Sequence, residues 1–110
     1  MDISVFREKG YFIASISGRD CLRTIDFYEH VGKVFKFPTE FDGRQKSMIS
    51  YLKDLSWLNS QCFVIELRDF DMFLSAVHAE MQLMVLECFD EVEEEWRNRN
   101  GDFQVVFNDI

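Results

Sequence analysis

Three short apolar runs do most to limit what this chain can become: YFIASIS (Tyr11 to Ser17), CFVIEL (Cys62 to Leu67) and DFQVVF (Asp102 to Phe107). Each is rich in β-branched or aromatic residues and too short for a buried helix, so each reads as a strand. Between them, apolar residues recur at three- and four-residue steps, the spacing of helices with one buried face. Strands separated by helices pair through crossovers, and those favour a parallel sheet with right-handed connections. The expected fold is α/β, a three-stranded parallel sheet packed with three or four helices, in one domain spanning residues 1–110.

The punctuation between these runs sharpens the order of elements. ISVF and REKG precede the first strand and suit a hairpin, an extra N-terminal strand with Gly10 supplying a positive φ at the turn. YFIASIS, closed by Gly18, reads as a strand buried on both faces. From Asp20, the residues Leu22, Ile25, Phe27, Tyr28, Val31, Val34 and Phe35 mark a helix, with Ser17 or Asp20 as its cap. Pro38, the single proline, denies Phe37 helical geometry, so the chain leaves that helix extended. Asp42 and Gln45 have capping-box spacing and open a second helix, whose inner stripe is Met48, Ile49, Leu52 and Leu55. From Asp69 a longer helical pattern runs to Trp96, either as one helix or as two joined near Ser75 to His78, and periodicity does not choose between them. Gly101 ends it.

Composition sets the class of partner. A chain of 110 residues buries roughly 65% of its extended surface on folding, and 47% hydrophobic residues with twelve phenylalanines supply the core. The net charge of −8 opposes binding to phosphate backbones and to anionic lipid, so neither nucleic acid nor membrane is expected, and a basic protein is the natural complement. Cys21, Cys62 and Cys88 are odd in number, widely spaced and set in apolar runs, as reduced core cysteines would be. MDISVFREKG lacks the long apolar run of a secretory signal or membrane span, and the cytoplasm is the expected location.

Motifs for catalysis and cofactors are sparse. His30 and His78 have no carboxylate or cysteine at metal-ligand spacing, and the scattered glycines build no phosphate loop or nucleophile elbow. No cofactor, metal or enzyme activity is expected. The run FDEVEEEW, Phe89 to Trp96, places acids toward a helix C-terminus, where the dipole disfavours them, with Arg97 and Arg99 as the ordinary offset. Met81 and Met84 fall in phase with Phe70, Val77, Cys88 and Trp96 and read as core.

One segment carries more than pattern. VFKFPTEFDGRQKSMISYLKDLSWL followed by CFVIELRDF resembles the barstar family of intracellular ribonuclease inhibitors. Its marks are the Phe35 to Pro38 join, Phe41 in an aromatic loop, the end from Asp54 to Leu58, and the strand Phe63 to Leu67. The resemblance implies a parallel three-stranded sheet whose loop and second helix plug the cleft of a nuclease toxin. Such an acidic, cytoplasmic immunity protein has no catalysis of its own, and its partner is a basic protein. The implied contact residues are Glu40, Phe41, Asp42, Lys46, Ser50 and Asp54, with Glu94 and Glu95 late in the last helix. Phe41 serves either as an exposed anchor or as a staple holding the loop to the core beneath Asp42. The family directs two acids at the enzyme where this chain has Lys46 and Ser50, and its approach to the helix differs at Glu40, Phe41 and Asp42. A barstar-fold binding or regulatory module that inhibits no ribonuclease is the alternative.

Overall fold

The computed structural model describes residues 3–108. Its sheet has the order β1 (Phe12–Ser17), β2 (Cys62–Arg68), β3 (Asp102–Phe107), with both pairings parallel. Phe12, Phe63 and Phe103 lie in one register row, so their rings meet, tilted against one another, at the base of the core. Three long helices supply the connections and cover: α2 (Thr24–Val34), α3 (Gln45–Asp54) and α4 (Ala79–Asn98), preceded by a five-residue helix α1 (Ser4–Glu8). Phe27, Val31, Met48, Leu52, Val85, Phe89 and Val92 fill the core above Ala14, Ile16, Ile65 and Leu67.

The central strand is buried from Phe63 through Leu67, as its continuous apolar run implies. β1 is different from the expectation. It alternates, with Ala14 and Ile16 buried and Ser15 exposed, because the long helices pack on one face of the sheet only. On the other face Glu66, 9% exposed, accepts hydrogen bonds from Ser15 Oγ at 2.8 Å and Asn108 Nδ2 at 2.7 Å. Those bonds make a charge tolerable in the middle of the sheet.

The N-terminal hairpin is replaced by α1. The turn glycine is where it was expected, with Gly10 at φ +81. The residues before it coil instead of pairing, with Tyr11 N–H bonded to the Phe6 carbonyl and the two rings 5.2 Å apart. A helix this short depends on that tertiary contact.

Helix ends also moved. Ser17 caps a 3-10 turn at Gly18–Asp20 by accepting from Arg19 N–H, and α2 starts only at Thr24, where Asp26 reaches back to Arg23 N–H. Leu22 and Ile25 consequently lie exposed rather than in the core. α2 closes before Pro38 in a Schellman motif: Phe37 N–H bonds Gly32 O, Lys36 N–H bonds Lys33 O, and Lys36 takes φ +55. α4 closes the same way with Asn100 at φ +63, and Gly101 is wanted for closeness, since a Cβ there would sit 2.4 Å from Gln61 O. The stretch from Asp69 is neither one long helix nor two. It is a 3-10 turn at Phe70–Met72, an irregular passage, and then α4 from Ala79.

Candidate functional site

α3 sorts its residues by the helical period. Met48, Leu52 and Leu55 are buried, which puts Lys46, Ser50 and Asp54, four residues apart, on the exposed side. The loop leading in exposes Glu40 and Asp42 next to that stripe. The structure therefore gathers Glu40, Asp42, Lys46, Ser50 and Asp54 along one edge.

The start of this edge is held by Asp42, though not as the expected capping box. Helix geometry begins at Gln45, with Arg44 in the cap position and no side-chain cap. Asp42 Oδ1 accepts from Arg44 N–H at 3.0 Å, a turn two residues long. Its carboxyl is held below the ordinary range, first by the Ser47 hydroxyl and then by the Arg44 amide. The carboxylate stays charged where an unassisted one would begin to protonate.

Phe41 faces inward. Its ring is half-buried, meets Phe37 edge-on at 4.9 Å and Tyr51 at 5.9 Å, and lies so close to α2 that a Cβ on Gly32 would come within 3.0 Å. Of the two roles open for Phe41, the geometry is that of the staple, with part of the ring left accessible. Phe37, Tyr51 and Trp57 complete a half-buried aromatic platform beside the edge, with Tyr51 and Trp57 centroids 6.1 Å apart. Trp57 is anchored by donating from Nε1 to Phe35 O at 2.8 Å. Sequence reasoning missed this platform. The density of aromatic residues around the only proline was the available signal.

On the opposite flank α3 is bolted to α4. Trp96 donates from Nε1 to Leu52 O at 2.8 Å, Lys53 pairs with Glu91 at 2.9 Å, and Arg99 donates to the Lys53 carbonyl. The Arg99 guanidinium also lies 3.9 Å from the Trp96 ring and pairs with Glu95 at 3.3 Å. Glu95 is thus near the edge but engaged. Helical phase turns Glu94 away from the core side of α4, so it does not join the edge, and Glu91, from the same acidic run FDEVEEEW, is held by Lys53 on this flank. At the far end, a cleft of about 620 Å3 opens between Asp54, Ser56, Asn59, Gln61, Trp96 and Arg99.

The edge carries both signs of charge. Lys53 and Arg99 have acidic partners, while Arg44 and Lys46 have no ion pair among the described residues. Among the same residues no group of three His, Cys, Asp or Glu side chains is arranged to hold a metal ion, and no helix is long and apolar enough to cross a membrane. Cys21 is buried, Cys62 and Cys88 are half-buried, and all three are free thiols. What the edge offers is charge, hydrogen bonds and aromatic area, the means of binding a protein surface.

Comparison with known proteins meets this geometry from another direction. The model of the family described as barstar (barnase inhibitor) matches residues 11–108, from the residue before β1 to the residue after β3. No curated protein matches the chain.

Proposed function

The chain belongs to the barstar family, a family of ribonuclease-binding inhibitors rather than enzymes, and from that premise we propose that it occludes the active cleft of a nuclease toxin in the cytoplasm. The wedge is the loop 39–43 together with the outer edge of α3. The observation that carries this reading is the continuous exposure of Glu40, Asp42, Lys46, Ser50 and Asp54 on a support that α2 and α4 hold rigid.

A nuclease cleft is cationic because it must hold phosphates. Glu40, Asp42 and Asp54 present carboxylates to such a cleft in place of phosphate oxygens, and the net charge of −8 draws the partners together before contact. Tyr51 and the accessible parts of Phe41 and Trp57 add the rigid aromatic area on which protein interfaces depend. Glu91 and Glu95 extend the acidic field across α4, with Glu94 contributing at longer range.

Lys46 refines the identity of the target. It stands where the family directs an acid at the enzyme, so a cleft with a cation at that point is repelled and one with an acidic group there is favoured. Ser50, at the second such position, neither attracts nor repels. The toxin for which this wedge is shaped therefore differs from a uniformly basic ribonuclease.

Inhibition of RNA cleavage by the purified chain, across a panel of nuclease toxins, tests the proposal. The double variant Glu40→Lys, Asp42→Lys is expected to weaken inhibition of the matching toxin on the order of tenfold or more, with the loss shrinking at high salt. Undiminished potency in that variant would place the contact elsewhere. The second reading, a binding or regulatory module without nuclease inhibition, draws on Lys46 and Ser50 as replacements for the family's acids. A tight complex that leaves the nuclease rate unchanged would decide for it.

A further inference from the structure

α2 and α4 each follow a strand of one parallel sheet and lie side by side in the same direction. Phe27 and Phe89 meet at 5.9 Å, and the next residue of α2, Tyr28, lies near Cys88 of α4, which fixes how the two helices are paired. One turn earlier, the same flanks carry Ile25 on α2 and Met81 and Met84 on α4. α3 roofs the crease between them only from Gln45 onward, where the Gln45 side chain reaches the Cys88 thiol. The loop before it veers away to set Phe41 against Gly32. The upstream part of the crease is left open, with Ile25 49% exposed, Met81 42% and Met84 55%.

This open stretch has a shape and a charge. On its α4 side a recess of about 480 Å3 is lined by His78, Ala79, Glu80, Met81 and Met84. Beyond the apolar floor, helical phase sets Glu29 on the α2 side and Glu80 and Glu87 on the α4 side. All three are exposed and none forms an ion pair among the described residues. Flexible methionines between acidic borders accept an apolar stripe flanked by cations.

We propose that this crease is a second docking groove, which takes a helical segment of a partner protein whose apolar stripe is bordered by lysine or arginine. The segment lies where α3 would run if it began about two turns earlier, over a floor about 10 Å long. A second copy of this chain is the wrong occupant, because it would set Glu29, Glu80 and Glu87 against an equally acidic surface in a molecule already at −8. The groove is independent of the nuclease reading, since it uses none of the residues of the α3 edge.

The probe is a synthetic amphipathic helix of leucine and lysine, about four turns long, followed by fluorescence anisotropy at low salt. Saturable binding is expected to fall by about tenfold or more in the double variant Ile25→Lys, Met84→Lys, whose charges repel the lysines and break the apolar floor. Val5→Lys adds a charge on α1, beside β1 and away from the acids of the groove, where Val5 is 50% exposed, and is expected to change binding by about twofold at most. A peptide with glutamate for lysine is expected not to bind. Circular dichroism checks that the variants, all at exposed positions, keep the fold. Absence of saturable binding overturns the proposal, as does an equal loss with Val5→Lys. So would a dimer in sedimentation that Met84→Lys dissolves, which would give the groove to a second copy.

Discussion

The two halves of α4 share one helical period and meet different surroundings. In the C-terminal half Val92 and Trp96 are buried, and Trp96, Glu91, Glu95 and Arg99 make the join to α3. In the N-terminal half Val85 is buried, but Met81 and Met84 are exposed. The difference lies in α3, which begins opposite Cys88 and leaves the preceding turns of α4 uncovered. An apolar period marks a face that can be buried, and the neighbour decides whether it is.

The largest test of that contrast is Trp96→Ala, which removes the ring packed 4.9 Å from Phe63 and the bond to Leu52. It is expected to destabilise by about 3–5 kcal/mol in urea unfolding. Next comes Gln82→Ala in the N-terminal half. Gln82 Nε2 donates to Leu74 O at 2.8 Å and Val77 O at 3.3 Å, fastening the irregular passage before α4. A loss of about 1 kcal/mol is expected, with faster amide exchange confined to residues 73–78. The Lys53–Glu91 pair is only partly shielded, at 31% and 60% side-chain exposure, so a double-mutant cycle with Lys53→Met and Glu91→Gln is expected to give a coupling of about 0.2–1 kcal/mol. Smallest is Met84→Ala, expected within about 0.5 kcal/mol of the parent. A large effect of Met84→Ala, or a small one of Trp96→Ala, would erase the distinction between the halves.

Much of the fold was legible because it follows from local rules. The three strands, their parallel order, the buried stripe Met48–Leu52–Leu55 and the turn at Gly10 all appear where pattern put them. The failures share a cause. Leu22 and Ile25 on one side and Met81 and Met84 on the other are apolar at helical spacing, and nothing local reports that α2 starts only at Thr24 and α3 only at Gln45. The N-terminal ISVF has strand-like residues, yet one ring contact and one backbone bond to Tyr11 hold it as a helix. At the candidate site, the open side of α3 at Lys46, Ser50 and Asp54 could be read from helical spacing, while Glu40 and Asp42, in the loop before it, came with the family resemblance. The Phe37–Phe41–Tyr51–Trp57 platform showed only as a density of aromatic residues, because it joins segments whose approach depends on how α2 ends.

That ending has a practical meaning. Lys36 occupies the left-handed turn where glycine is the usual residue, a conformation that costs a lysine about 1–2 kcal/mol. Lys36→Gly would relieve this strain and give back part of the gain through a more flexible unfolded chain. Because the two bonds that aim the loop are donated by the backbone amides of Phe37 and Lys36 to the Gly32 and Lys33 carbonyls, and involve no side chain, the substitution would keep the wedge pointed as it is. The molecule thus holds a reserve of thermal robustness that can be drawn upon without touching its contact surface.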